Sequence, residues 1–135
     1  TAVKNVGFAS PYVGEINRKA TLFLKTAGFR VVNSASIKGN LNSYEQGELS
    51  PEEIFELALR ADHKDAEAIV LACTDLRAIE VVPQIEAELG KIVISTNQAM
   101  LFVASAMLNL PTNINFIGSL SKYQQAVNAT GGAQA

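Results

Sequence analysis

The sequence predicts an α/β fold in which helices flank a mainly parallel, flavodoxin-like sheet of four or five strands. Short apolar runs alternate along the chain with segments whose apolar residues recur every three or four positions, the spacing of an amphipathic helix. The run Ala68–Ala72 contains only small or branched apolar residues, which is typical of a strand buried on both faces of a parallel sheet. Strands and helices that alternate in this way give parallel strands joined by helical crossovers.

The first part of the chain predicts a strand, a helix and a second strand. Residues 3–9 form the first strand, which stops before Pro11 because proline cannot donate to a sheet ladder. From Val13 the apolar period becomes helical, and Gly28 follows the last periodic residue as a helix C-terminal glycine does. The second strand covers Phe29–Ile37. The apolar stripe of the helix consists of Ile16, Ala20, Phe23, Leu24 and Ala27.

A polar connection, Lys38–Leu49, leads to the second helix, and long ordered loops of this kind tend to be functional. Ser50 is the expected N-cap, Pro51 the first helical residue, and Glu53 closes a capping box. The buried stripe of this helix is predicted to be Ile54, Leu57, Ala58 and Ala61. His63, in the charged segment that follows, is interpreted as a surface histidine.

After the third strand the alternation continues to the end of the chain. The predicted elements are a helix over 78–89 that Pro83 either starts or bends, a strand Ile92–Ile94, and an apolar helix Gln98–Leu108. Beyond Pro111 we expect a fifth strand Asn113–Gly118, a short helix Ser121–Asn128 and a disordered tail over 129–135.

Composition indicates one globular domain and argues against several functions. The 135 residues are 48% hydrophobic and 18% charged with a net charge of −2, which is enough for a core and gives no footprint for nucleic acid or an anionic membrane. No run is long enough for a membrane span, and no signal region opens the chain. A single cysteine excludes an internal disulfide and suits the cytoplasm, and no nucleotide or metal motif is present. We expect no cofactor and no metal.

That cysteine stands where the third strand ends. Cys73 opens the sequence CTDLR, so a thiol, a hydroxyl, a carboxylate and a guanidinium follow the apolar run directly. In a parallel sheet this carboxyl edge is where ligands bind. A thiol that faces turn N–H groups favours the reactive thiolate form. The alternative is an inert packed cysteine, since free cysteine is among the most buried residue types.

Polar side chains follow the other strands as well: Ser10 and Tyr12 the first, Asn40 and Asn42 the second, and Ser95, Thr96 and Asn97 the fourth. Because the carboxyl ends of parallel strands meet at one edge, we expect a crevice that these groups share with Cys73. Helix N-termini and turn N–H groups favour anions, so the expected ligand is a small anion, most simply a carboxylate. The serines and Thr96 could instead be helix caps only.

Together these motifs resemble the second half of maleate cis-trans isomerases, which belong to the aspartate/glutamate racemase superfamily with arylmalonate decarboxylases as near relatives. The resemblance runs from about Lys4 to Ala99. It rests on Ser10-Pro11-Tyr12 with Asn17, on Asn42, on Ser50-Pro51-Glu52-Glu53-Ile54, on Val70 to Arg77, and on Ser95-Thr96-Asn97-Gln98-Ala99, in that order.

The resemblance implies a role for each matching site residue. Cys73 would be the catalytic thiol, Tyr12 and Asn42 would bind substrate carboxylates, and the turn Thr74-Asp75 would add N–H donors. Ser10 and Pro11 complete the substrate-binding set that the resemblance implies. The family often has asparagine where this chain has Asp75, so a carboxylate there needs Arg77 or a backbone donor to sit beside an anionic substrate.

The resemblance also implies a partner. Family members have two similar lobes, with the site between them and a second cysteine on the first lobe. Residues 1–97 would then be one lobe, and 98–128 a helical segment that packs on the missing N-terminal lobe or on another copy of the chain in a homo-oligomer. The apolar face of that segment consists of Met100, Leu101, Phe102, Met107 and Leu108.

The expected function is cofactor-independent cis–trans isomerisation of a small unsaturated dicarboxylate, maleate to fumarate, through a cysteine thiol. In this reading the chain supplies one lobe of the active site and is inactive by itself. Three alternatives stay open: decarboxylation of a substituted malonate, racemisation at an acidic carbon, and a non-catalytic α/β binding or assembly module.

Overall fold

The computed structural model describes residues 2–110 and 118–123. Within them, four strands form one sheet: β1 (Asn5–Ser10), β2 (Arg30–Ser36), β3 (Ala68–Leu71) and β4 (Ile92–Ser95). The strand order is β2-β1-β3-β4, and all three pairs are parallel. The helices are α1 (Gly14–Thr26), α2 (Ser43–Gly47), α3 (Pro51–Ala61), α4 (Val82–Leu89) and α5 (Thr96–Met107). The predicted parallel α/β fold is confirmed.

Most element bounds differ from the predicted ones by one or two residues, and three differences are larger. The polar connection after β2 contains the short helix α2, which the sequence analysis treated as loop. Residues Ala78–Glu80 form a separate 3-10 turn, and α4 begins at Val82 because Pro83 occupies its first turn. Gly118–Tyr123 is a 3-10 helix, where an α-helix from Ser121 was predicted. The rest of the predicted fifth strand and last helix, and the tail 129–135, lie outside the described residues.

Helix α3 forms as its sequence predicts. The Ser50 side chain accepts a hydrogen bond from the Glu53 N–H at 3.2 Å, and the Glu53 carboxylate accepts one from the Ser50 N–H at 2.8 Å. This capping box satisfies two helix donors that would otherwise lack partners. The predicted stripe is buried, with Ile54, Leu57, Ala58 and Ala61 all fully enclosed. It packs on the sheet with α4 and anchors the core.

Strand register explains why the two faces of the sheet are covered unequally. Successive side chains point to opposite faces, so Ile69 and Leu71 point to the α3–α4 layer, whereas Val70 points to the face that carries α1 and α5. On that face, Phe8, Val70 and Ile94 lie side by side in register. They line an apolar groove of about 410 Å³ between α1 and α5. The third strand is therefore buried on one face and only half-buried at Val70, because α1 and α5 do not meet over it.

The two helices beside this groove keep much of their apolar surface exposed. In α1, Phe23 of the predicted stripe is 71% exposed, and in α5, Met107 is 77% exposed. Phe102 departs from the predicted exposed face of α5, since it is buried against the rest of the fold. Exposed apolar surface of this extent is typical of an interaction face.

The centre of β1 makes the closest approach between the sheet and a helix. A methyl group added at Gly7 would lie 2.4 Å from the Ala61 carbonyl oxygen at the end of α3 and 2.8 Å from Ile69 Cδ1. The first contact is with backbone, which cannot move aside by changing a rotamer. Gly7 therefore sets the distance between α3 and the sheet, and with it the position of the strand ends that carry the site.

Candidate functional site

Cys73 lies two residues past β3, at the carboxyl edge of the sheet, and its side chain is in contact with groups of three different segments. The thiol is 3.1 Å from Gln46 Oε1, and the Asp75 N–H donates to the sulphur at 3.3 Å. The Tyr12 hydroxyl, after β1, also hydrogen-bonds to Cys73. The residue is 5% exposed, so the sulphur lies in a largely desolvated pocket among donors and one acceptor.

The backbone of Cys73 is strained. Its φ of 134° is in the region that residues with a Cβ rarely adopt, and no other described residue except Asn109 shares a positive φ without being glycine. Such a conformation costs about 1–3 kcal/mol and persists only where the surrounding structure holds it. Strained residues cluster at functional sites, so this geometry argues against the inert packed cysteine.

Helix α5 holds the strained turn in place. The Cys73 N–H donates to Thr96 Oγ1 at 3.2 Å, and Asn97 Nδ2 donates to the Thr74 carbonyl at 3.0 Å. Ser95 caps α5 through a reciprocal pair of hydrogen bonds with Gln98. Ser95 is therefore a helix cap, which was one of its two predicted roles, whereas Thr96 and Asn97 connect the first turn of α5 to the Cys73 turn.

The turn after β1 is built around a buried polar pair. The Ser10 hydroxyl donates to Asn17 Oδ1, and the Tyr12 N–H donates to Ser10 Oγ at 3.3 Å. Both Ser10 and Pro11 are fully buried, and Asn17 is the one buried residue of α1. The hydrogen-bonded pair of Ser10 and Asn17 therefore orients the Tyr12 segment. In this orientation the Tyr12 hydroxyl hydrogen-bonds to Cys73.

The environment of Tyr12 raises its pKa to about 12. Burial is the largest cause, followed by the hydrogen bond to Cys73 and by the charges of Cys73 and Asp75. Tyr12 therefore stays protonated at neutral pH and acts there as a hydrogen-bond donor.

When the tyrosinate absorbance of the parent chain is followed at alkaline pH, we expect one transition at about pH 12, which is that of Tyr12. This transition should be absent in Tyr12→Phe. The folded-state pKa is above the unfolded value of about 10, so the protein loses stability as the pH rises from about 10 to 12. Tyr44→Phe, at a 76% exposed position, is the matched control. A lost transition near pH 10 for Tyr12→Phe would contradict this environment.

Helix α2 brings Asn42 and Gln46 to the site. Asn42 is the N-cap: its Oδ1 accepts from the Glu45 N–H at 3.0 Å, and its own N–H donates to Glu45 Oε2 at 2.8 Å. Capping uses the side-chain oxygen and does not involve the Nδ2 donors of this exposed residue. Gln46, one helical turn later, reaches Cys73 directly. Asn42 therefore lies one helical turn before the residue that contacts the sulphur, at the start of α2 and not in an irregular loop.

Asp75, the acidic residue of the turn, lies close enough to Tyr12 for its charge to act on the tyrosine hydroxyl. Asp75 raises the pKa of Tyr12 through its charge, and its N–H is used by the Cys73 sulphur. Arg77 pairs with Glu80 through two hydrogen bonds of 2.8 and 3.0 Å. The guanidinium that was expected to offset Asp75 is thus engaged elsewhere. Thr74 is exposed beside it.

Two further features concern the whole described part of the chain. Among residues 2–110 and 118–123, no three His, Cys, Asp or Glu side chains are grouped so that they could hold a metal ion. None of the helices in the same ranges is long and apolar enough to cross a membrane. His63 is a half-exposed residue next to Asp65, as the sequence predicted for a surface histidine.

Fold and site together define a class of protein: a parallel α/β lobe that carries a strained cysteine turn at the carboxyl edge of its sheet. The chain belongs to the arylmalonate decarboxylase family, whose model matches residues 1–121.

Individual proteins and solved structures are similar to most of the chain. A maleate isomerase from Geobacillus stearothermophilus is 25% identical over 118 residues, which are 87% of this chain and 47% of the relative. The maleate cis-trans isomerase of Nocardia farcinica, bound to TRIS, superposes with a TM-score of 0.83 at 22% identity, over 92% of this chain and 50% of that one. A cysteine-to-serine mutant of that enzyme, with a covalently bound succinylcysteine intermediate, gives a TM-score of 0.81 at 22% identity, over 87% of this chain and 48% of that one.

These comparisons confirm the resemblance to maleate isomerases and arylmalonate decarboxylases, and the two solved structures confirm the fold. The chain spans about half the length of the curated relatives it matches.

Proposed function

We propose that this chain supplies one lobe of an enzyme that isomerises a small unsaturated dicarboxylate, maleate to fumarate, without a cofactor. The observation that carries the proposal is the Cys73 turn: a buried thiol on a strained backbone, with the Asp75 N–H and the Tyr12 hydroxyl directed at its sulphur. Two relatives named maleate isomerase and a neighbour that holds a succinylcysteine intermediate support the same chemistry.

In the proposed reaction Cys73 exchanges a proton with a substrate carbon. A thiolate from the other lobe adds to one alkene carbon, forming an S–C bond, and the π electrons move to the second carbon beside its carboxylate. The Cys73 S–H bond breaks as a C–H bond forms there, which leaves a succinyl thioether and a Cys73 thiolate. After rotation about the new single bond, Cys73 takes back a proton, the thiolate leaves, and the trans alkene forms.

The residues around Cys73 suit this proton exchange. The Asp75 N–H and the Tyr12 hydroxyl donate to the sulphur, so they stabilise the thiolate that exists while the proton is on carbon. Tyr12 can do so at neutral pH because its hydroxyl is protonated there, as the hydroxyl of any tyrosine is, and the raised pKa of about 12 extends that range further. Asn42 Nδ2 and the Thr74–Asp75 turn are the proposed contacts for the substrate carboxylates, with Ser10 and Pro11 shaping the same turn.

We expect dicarboxylates such as maleate and malonate to slow alkylation of Cys73 by iodoacetamide on this chain, because a bound carboxylate fills the space beside the sulphur. Propionate, with one carboxylate, is expected to protect less. In Asn42→Asp the protection should be lost, since the variant keeps a good N-cap oxygen but replaces the amide donor with a negative charge.

Asn42→Ser serves as the control for capping, since serine also caps helices well. Both variants should keep the unfolding free energy within about 0.5 kcal/mol of the parent, against a loss of about 1 kcal/mol for an alanine cap. Equal alkylation rates with and without maleate and malonate would refute dicarboxylate binding at this site. The non-catalytic module would then be the better account.

A second candidate is decarboxylation of an arylmalonate, because the family model that matches residues 1–121 carries that name. It needs the same elements: a carboxylate pocket and a thiol that delivers a proton to the carbon from which carbon dioxide has left. The assays separate the two, since one follows fumarate formation from maleate and the other carbon dioxide release from phenylmalonate. Racemisation of an amino acid is tested in parallel by loss of optical rotation.

We further propose that the groove between α1 and α5 receives the first lobe or a second copy of the chain, in a cytoplasmic protein whose single thiol stays reduced. Met100 lines the groove and is 61% exposed, and Met107, seven residues further on the same face of α5, is 77% exposed. The chain by itself is then expected to lack turnover and to associate.

Sedimentation velocity over a range of concentrations should show a parent chain larger than a monomer. Met100→Lys combined with Met107→Lys should make it monomeric, because charge opposes burial of this face. Leu22→Lys is the control, since Leu22 is 62% exposed on α1 but does not line the groove. A monomeric parent that turns over maleate would contradict the split site.

A further inference from the structure

Gln46 contacts the Cys73 sulphur, although the sequence pattern does not indicate it. It lies in α2, half-buried, and its Oε1 is 3.1 Å from the thiol. The amide has a second partner, because Nε2 donates to the Leu41 carbonyl at 2.8 Å. The Leu41 carbonyl can only accept a hydrogen bond, so the amide nitrogen of Gln46 must face it. The amide oxygen is thereby left to face the sulphur.

The fixed orientation gives Gln46 a chemical preference. An amide oxygen can only accept, so it pairs with Cys73 while the thiol holds its proton. Once the proton has left, the oxygen faces a negative sulphur and the contact becomes unfavourable. The Asp75 N–H and the Tyr12 hydroxyl have the opposite preference, since both donate. Three neighbours of one sulphur thus divide into two that favour the thiolate and one that favours the thiol.

We propose that Gln46 is a positioning residue that keeps Cys73 protonated between turnovers. The role of Gln46 in catalysis rests on the proposed function, in which the thiol must enter the reaction with a proton to give to carbon. The effect on the thiol itself needs no substrate. It can therefore be measured on this chain alone, separately from dicarboxylate binding and turnover.

The experiment compares iodoacetamide alkylation of Cys73 in the parent, Gln46→Met and Gln46→Glu across pH. Methionine is similar in length and removes the strong acceptor, so alkylation at neutral pH should rise about two- to tenfold, the range that one hydrogen bond allows. Glutamate keeps an acceptor and adds negative charge, so alkylation at neutral pH should fall by a similar factor. The rate at high pH, where every thiol is ionised, should be the same in all three proteins.

The rate at high pH distinguishes this role from simple packing. If Gln46 only shields the sulphur, both substitutions loosen α2 and both raise the alkylation rate at high pH. Tyr44→Ala changes the same short helix at a 76% exposed position and controls for that loosening. Changes of equal sign, or changes no larger than that of Tyr44→Ala, would overturn the proposal. If Gln46→Met fails to fold, Gln46→Leu takes its place, because leucine also lacks the acceptor, whereas the charge of Gln46→Glu lowers the rate at neutral pH in either case.

Discussion

Cys73→Ser is expected to lower turnover by about 10²- to 10⁴-fold in an enzyme assembled from this chain and the proposed first lobe, the range of a general acid–base contribution. The serine hydroxyl fits the same turn and can accept from the Asp75 N–H that now meets the sulphur. The proton of a serine hydroxyl is far less acidic than that of a thiol. Both the transfer of a proton to the substrate carbon and its later removal from that carbon should therefore be slower. The measurement is the steady-state rate of fumarate formation from maleate.

Two controls make this result specific to the chemistry. The variant should bind malonate as the parent does in calorimetry, since none of the proposed carboxylate contacts is removed. It should also exclude solvent deuterium from the carbon atoms of recovered maleate, because the group that exchanges the proton is gone. Turnover within tenfold of the parent would mean that Cys73 is not the proton donor.

Gly7→Ala is expected to destabilise the fold by about 1–3 kcal/mol, the usual cost of overpacking a core. The new methyl group would stand 2.4 Å from the Ala61 carbonyl oxygen, so α3 must move away from β1. Displacing α3 also removes its stripe from the sheet and shifts the strand ends beside Cys73. The free energy of unfolding is measured by urea denaturation monitored by circular dichroism.

Gly14→Ala is the matched control for that substitution. At Gly14, in the first turn of α1, an added methyl group has only an ordinary contact of 3.5 Å with Arg18 Nη1. Alanine favours helix over glycine by about 0.5–1 kcal/mol, so this variant should be as stable as the parent or more so. Equal stability for Gly7→Ala and Gly14→Ala would show that α3 does not pack against β1 as closely as described.

The pattern of the sequence was sufficient for the order of the four strands and the four longer helices, and for the ends of most of them to within two residues. Apolar periodicity placed the strands and helices, because side-chain burial repeats with the geometry of each element. Capping chemistry placed the start of α3 at Ser50, since the residues that satisfy a helix end lie within one turn of it. The same local logic located Cys73 at the end of a strand. It also contained a signal for α2, the pair Asn42 and Glu45, that was read as loop.

The tertiary structure decided what surrounds the cysteine. Gln46 and Cys73 are 27 positions apart, and Thr96 is 23 positions beyond Cys73, so no local pattern connects them. The positive φ of Cys73 is equally invisible, because the sequence has a β-carbon where that conformation favours glycine. Only packing of several segments against one turn can impose such a conformation.

The same distinction applies to the apolar surface. The sequence by itself determined that α1 and α5 each carry an apolar face, since that follows from spacing along one helix. Whether those faces meet depends on the sheet between them, and here they stand apart over Val70 and leave the groove open. Local order along the chain sets the elements and their faces, whereas contacts between distant segments set the thiol's environment and the surface left for a partner.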